Sequence, residues 1–198
     1  MTTKSILSAM TKALSQESRG AVMLRNASVV LLGTVLLTLS AKLKVPFYPV
    51  PMTMQTLVVL LIAATCGLRM GVAIVIAYLL EGAAGLPVFA DTPERGIGLS
   101  YMMGPTGGYL LGFVAAAAFA GLMADRGLAR SWVGLSAMMV GGHALMFGLG
   151  YTYLGSMIGF EQAWTAGVVP FLPSTAVKIA LGVALLAGYN RLSDRIAG

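Results

Sequence analysis

Residues 57–80 read LVVLLIAATCGLRMGVAIVIAYLL, and the fold turns on whether this run is one membrane span or two. As a single span it would hold Arg69 near mid-membrane, at a cost of roughly 2.5–3.5 kcal/mol on insertion scales. A break at Cys66-Gly67-Leu68-Arg69 places the arginine in a tight turn at the cytoplasmic surface instead. We take the second reading, which yields two helices near the lower limit of about 17 residues for a span.

The rest of the chain agrees with a membrane setting. Of its 198 residues 58% are hydrophobic and only 10% are charged, against roughly 25% charged in a soluble domain. The composition and run lengths predict one all-α integral membrane domain, a compact six-helix bundle covering residues 1–198. Its spans are expected at approximately 25–41, 52–68, 70–85, 104–124, 132–155 and 170–190, after a cytoplasmic tail at 1–24. The tail has no continuous apolar core before a small-residue cleavage site and does not read as a signal peptide. Cys66 is the only cysteine, which excludes an internal disulfide and a multi-cysteine metal site; in an apolar run it is expected to pack as a small hydrophobe.

Charge placement orients the bundle. Lys4, Lys12, Arg19, Arg25, Arg69, Arg126, Arg130, Arg191 and Arg195 fall on the side of the termini, and Lys42, Lys44 and Arg95 fall opposite. By the positive-inside rule both termini are cytoplasmic. The net charge of +6 is scattered at the ends of apolar runs, with no basic cluster interleaved with aromatics, so nucleic acid is not the expected partner.

Two connections then lie outside the cell: PFYPVPMTMQT at 46–56, and the stretch from Gly82 to Phe113, which contains GLPVFADTPERGIGLSYMMGPTGGYLLGF at 85–113. The second is dense in glycine, proline and aromatics and reads as a shaped loop that covers a site. Span four carries Gly104, Gly108, Gly112, Ala116 and Ala120 at every fourth position, a stripe expected to pack inside the bundle; Ala137/Gly141 and Ala144/Gly148 form weaker strips on span five.

An ionisable residue inside a span is a functional hypothesis by default. Lys178 follows Pro173 in PSTAVK and, at 1.5 Å per residue, lies about 7–8 Å below the outer entry of the last span. Ser174 and Thr175 share its face, and a lysine snorkelling to the interface is the plain alternative. Glu81, near the outer end of span three with Tyr78 on the same face, either pairs with Lys178 or meets a ligand. Gln55 adds an amide behind Pro51 and Thr53 at the same outer depth. Gly107 and Gly108 bare backbone N–H groups where span four begins, a place for an anion or simply for close packing.

Enzyme signatures are missing: the chain has no GxxxxGK[ST], HExxH or CxxC. His143 and Ser156, thirteen residues apart on one span, are roughly 20 Å apart along the axis and form no dyad. His143 is expected to be a packed interior histidine. An enzyme is therefore disfavoured, and no cofactor or metal is expected.

PVPMTMQT (49–56), YLLEGAAGLPVFA (78–90), GPTGGYLLGF (104–113) and PSTAVK (173–178), in this order, resemble the BioY family of biotin transporters. The resemblance implies a substrate-binding component of an energy-coupling factor (ECF) transporter in the cytoplasmic membrane of a bacterium. It implies a six-helix bundle that captures biotin under the first and third outer loops, and as partners a transmembrane coupling subunit and cytoplasmic ATPases. The family's membrane lysine corresponds to Lys178. Family members commonly carry an aspartate three residues earlier, where this chain has Thr175, and Glu81 is a candidate for the missing negative charge. For biotin, Tyr101, Tyr109 and Phe89 are candidate walls, Gln55, Thr175 and Lys178 candidate polar contacts, and Asp91 with the Gly107–Gly108 backbone candidates at the lid. In relatives the first span docks on the coupling subunit through small residues; here Thr34/Thr38, Ala27 and Gly33 are available. Another vitamin as ligand, a homo-oligomeric carrier and a self-contained ion-coupled transporter remain the competing readings.

Overall fold

The computed structural model describes residues 19–45 and 50–197. Helix α1 covers Arg19–Lys42 and leads into a two-stranded antiparallel hairpin, β1 (Lys44–Val45) and β2 (Met52–Thr53), in which Lys44 faces Thr53. Helix α2 is Gln55–Ala83, the short α3 is Gly98–Met102, and α4 is Gly107–Asp125. After a 3-10 turn at Leu128–Arg130 come α5 (Trp132–Ile158), α6 (Phe160–Gly167), a second 3-10 turn at Val169–Phe171, and α7 (Leu172–Ala197). Among the described residues five helical stretches are long and apolar enough to cross a membrane, the α2 stretch among them.

Although its hydrogen bonding runs on, α2 is two helices. Gly67 has non-helical backbone angles (φ 77°, ψ 178°), a left-handed φ that glycine adopts without a side-chain clash. Gln55 Nε2 donates to Tyr78 Oη at 2.7 Å, whereas 23 residues of straight helix would separate them by about 35 Å. A methyl group placed on Gly71 would lie 2.8 Å from Ala63 Cα. The chain therefore reverses at Gly67 and passes through the bundle six times. Asp125, closing α4, accepts from the Leu68 N–H at 3.1 Å and fastens this turn. Arg69 lies beside it, as the cost of a mid-membrane charge requires. Cys66, expected to be packed, is instead exposed at the same turn, because the reversal swings it off the apolar interior.

Small residues set the helix contacts, since lipid is as apolar as the core and burial alone gives no drive. Gly108, Gly112, Ala116 and Ala120 are all buried. A Cβ on Gly112 would stand 2.7 Å from Met146 Cα of α5, and one on Gly121 2.6 Å from Leu68 Cα and N. Gly104 lies outside this stripe, because α4 begins at Gly107 and not at 104. The strips expected on α5 divide differently: Gly141 seats Phe119, while Ala137, Ala144 and Gly148 are exposed. On α1, Gly33 and Thr34 are buried against the bundle, with Gly33 beside Ile74, and only Ala27 is outward. The exterior stays apolar, with Leu31, Leu32, Leu36 and Leu39 exposed on α1 and Leu111 and Leu185 on α4 and α7.

Candidate functional site

At the outer end of the bundle the main core meets a smaller buried cluster of Val50, Tyr109, Leu154, Ala163 and Phe171. A cavity of about 40 Å³ lies at this junction. Its apolar walls are Val50, Pro51, Ala90, Tyr109, Phe113, Phe147 and Phe171, and its polar groups come from Thr53, Gln55, Thr56, Thr106 and Lys178. Tyr109 and Phe147 meet edge to face at 6.2 Å, as do Phe147 and Phe171 at 6.1 Å. Tyr109 Oη also donates to Gly167 O at 2.7 Å, tying the wall to the end of α6.

Lys178 is 6% exposed and turned inward. Its Nζ donates to Thr53 O at 2.7 Å and to Thr56 Oγ1 at 3.3 Å. Snorkelling is excluded by this geometry. An ammonium has three donors, so one bond to the end of β2 and one to the start of α2 fix its position and leave one donor over.

Gln55 is oriented by a short chain of hydrogen bonds. Tyr78 Oη donates its one proton to Val88 O at 3.0 Å, so it can only accept from Gln55, at 2.7 Å. The Gln55 nitrogen must therefore face Tyr78, which leaves the amide oxygen as the group's remaining acceptor. Lys178, held by Thr53 and Thr56, and Gln55, oriented by Tyr78, thus line one cavity, the first offering a cationic donor and the second an acceptor.

The structure brings Gln55, Tyr109 and Lys178 together and places the other expected site residues outside the cavity lining. Glu81 is half-buried, away from the lining, and among the described residues makes no ion pair with Lys178. Phe89 is buried in the layer behind, stacked on Tyr101 at 5.0 Å and edge-on to Tyr78 at 5.4 Å. Burial pushes the Tyr101 phenol above its ordinary pKa, partly opposed by a hydrogen bond to Thr106, and it stays a neutral hydroxyl. Asp91 pairs with Lys44 and lies 3.4 Å from Arg95 Nε. The Gly107 N–H closes a turn onto Gly104 O at 2.9 Å, and a Cβ there would meet Tyr153 at 3.1 Å, so packing and not an anion accounts for this glycine. A side chain on Gly108 would stand 2.5 Å from Leu149 O, which gives it the same role. Thr175 is buried but does not line the cavity, and Ser174 Oγ is taken by Phe171 O at 2.9 Å.

Sequence reasoning missed Thr56, Thr106, Phe113, Phe147 and Phe171 as lining residues. Thr106 and Phe113 lie within a motif singled out for other residues, whereas Phe147 carries no sequence signal that separates it from an outward-facing aromatic. His143 is 2% exposed, with Nδ1 2.8 Å from Met139 O, which is the interior role expected of it. Ser156 is exposed and bonded to Tyr153 O at 2.6 Å. Among the described residues no three His, Cys, Asp or Glu side chains converge on a metal-sized site.

A model of the BioY family matches residues 10–195. The chain is 36% identical over 160 residues to a biotin transporter BioY of Thermotoga maritima, covering 80% of this chain and 92% of that one. It is 33% identical to a probable biotin transporter BioY of Pyrococcus horikoshii over 81% and 93% of the two chains. It is 30% identical to a probable biotin transporter BioY of Rickettsia prowazekii over 84% of each. Among solved structures it is similar to the S-component for biotin from an ECF-type ABC transporter, with a TM-score of 0.73 at 21% identity over 90% of this chain and 95% of that one.

Proposed function

The chain belongs to the BioY family, and on that premise we propose that it captures biotin in the outer cavity as the substrate-specific component of an energy-coupling factor transporter. It is a multi-pass protein of the cytoplasmic membrane. The observation that carries the ligand reading is the juxtaposition of the Lys178 ammonium and the Gln55 amide oxygen beside a wall of Tyr109, Phe113, Phe147 and Phe171. A ureido head has one strong carbonyl acceptor flanked by N–H donors. Lys178 suits the carbonyl, Gln55 suits an N–H, and the aromatic wall suits the fused rings. Thr106, which also lines the cavity, is a further polar contact for the ligand.

Ligand sites of this class enclose roughly 300–1,000 Å³, far more than the cavity in this closed form. Loading therefore requires the segments over it, 50–56 and 86–106, to part. Since the sequence holds no nucleotide-binding motif, uphill uptake draws on a separate coupling subunit and ATPases. The reading is of a carrier that performs no chemistry on its ligand.

Saturable binding of labelled biotin to the detergent-purified chain tests this reading. Biotin methyl ester should compete well, because the head group supplies most of the contacts, while thiamine and riboflavin should not. Absence of biotin binding by protein that still elutes as a folded species would overturn the assignment. Gradient-driven uptake by the chain alone in liposomes would overturn the need for coupling partners.

A further inference from the structure

The cavity has two lips, and they come from distant parts of the chain. One lip is Val50, Pro51 and Thr53, on and beside β2; the other is Ala90, in the connection from α2 to α4. Lysines at the end of α1 and in β1 join them. Lys42, the last residue of α1, donates from Nζ to Phe89 O at 2.9 Å, to Thr92 O at 3.2 Å and to Thr92 Oγ1 at 3.1 Å. Lys44, which faces Thr53 across the hairpin, pairs with Asp91. Thr92 Oγ1 donates to Phe89 O at 2.7 Å and completes a knot around Ala90.

Asp91 has φ 56°, a left-handed conformation that aspartate tolerates better than most L-residues, and contacts from Lys44 and Arg95 hold its carboxylate there. Release of Lys44 from Asp91 removes one such contact and separates Ala90 from the hairpin lip at the same time. None of Lys42, Lys44 and Asp91 lines the cavity, so their influence on a ligand must act through the lips.

We propose that Lys42 and Lys44, gripping Phe89, Asp91 and Thr92, form a clasp across the mouth of the cavity whose opening sets the rate of ligand release. These are positioning residues for the lip and do not touch the ligand. The proposal rests on the reading of the cavity as a biotin site. The Lys44–Asp91 pair is partly exposed, so salt weakens it, and dissociation from the parent protein should quicken as ionic strength rises.

The test is a chase of labelled biotin from the full-length protein in nanodiscs, for the parent, Lys44→Met, Asp91→Asn and the double variant. Loss of a charge-assisted bond predicts dissociation about tenfold faster in each single variant. The double variant should show no further gain, the salt dependence should be lost, and the association rate should not fall. An unchanged dissociation rate, or additive effects in the double variant, overturns the clasp. A second readout needs no ligand: Phe147→Cys in a Cys66→Ser background reports access to the inner wall by thiol labelling. Labelling should accelerate when Lys44→Met is added, and an unchanged rate overturns the clasp even if biotin is the wrong ligand. Failure of the parent to bind biotin, with accelerated labelling, would instead overturn the ligand reading and leave the clasp standing.

Discussion

Replacing Lys178 by methionine keeps an unbranched stem and removes the ammonium, and the structure separates two consequences. The first concerns the fold: Thr53 O loses a donor at 2.7 Å and Thr56 Oγ1 one at 3.3 Å. An unsatisfied buried carbonyl costs about 1–3 kcal/mol, so a modest fall in melting temperature is expected. The second concerns the ligand. Lys178 lines the cavity, and on the biotin proposal its remaining ammonium donor makes a charge-assisted bond of about 1.5–3 kcal/mol with a ligand oxygen. At about 1.4 kcal/mol per decade this corresponds to biotin affinity weakened roughly 12-fold to 140-fold. Thr56→Val removes only the longer tether and keeps the charge, so its loss should be smaller, below roughly fivefold. Equilibrium binding of labelled biotin, with elution profile and melting temperature recorded on the same samples, resolves both effects. An affinity within twofold of the parent in folded Lys178→Met protein would refute the reasoning, because a cation held beside the ligand cannot be removed at no cost.

Three further outcomes follow from the packing. Tyr78→Phe deletes the bonds to Gln55 and to Val88 O, and should lower stability by about 1–3 kcal/mol and weaken biotin binding by releasing the Gln55 amide; unchanged binding would show that the amide is oriented by something else. Gly112→Ala sets a methyl 2.7 Å from Met146 Cα, so α4 and α5 must separate at a cost of about 1–3 kcal/mol, seen as a lower melting temperature, while Gly148→Ala, with open space around it, should change little. Gly67→Ala forces a side chain into φ 77°, ψ 178°, a region essentially confined to glycine, at a cost of about 1–3 kcal/mol at the end of the bundle remote from the cavity; stability should fall with biotin affinity retained, and a large affinity loss would contradict the separation of the two ends.

Much of the architecture was legible because charge is expensive in a bilayer. Arg69 demanded the break at Gly67, and the distribution of lysine and arginine sorted the ends of the bundle. The same argument singled out Lys178 and Gln55, both of which line the cavity, since polar groups in a span need a reason. It also singled out Glu81, which lies half-buried at the outer end of its helix and outside the cavity lining. Asp91 and Phe89, expected to contact ligand, lie outside the cavity lining, Asp91 paired with Lys44 and Phe89 stacked on Tyr101. Glycines at the start of α4 suggested bared N–H groups, yet Gly107 packs against the Met102 carbonyl and Gly108 against α5.

The rotation of each helix about its axis was beyond the sequence. In a soluble bundle the polar face marks the outside, but here Leu31, Leu36 and Leu185 face lipid while Leu37, Leu60 and Leu186 face the core, and lipid rewards both equally. No period distinguishes Phe147, which lines the cavity, from Phe160, which is exposed. The sequence by itself determined that the chain crosses the membrane, where it must turn, and which family it resembles, because those rest on the cost of burying charge and on local motifs. Only the tertiary structure decided which side chains meet around the cavity and which lysines fasten its mouth, because backbones approaching at Gly108, Gly112 and Gly121 fix helix rotation through contacts far apart in the chain.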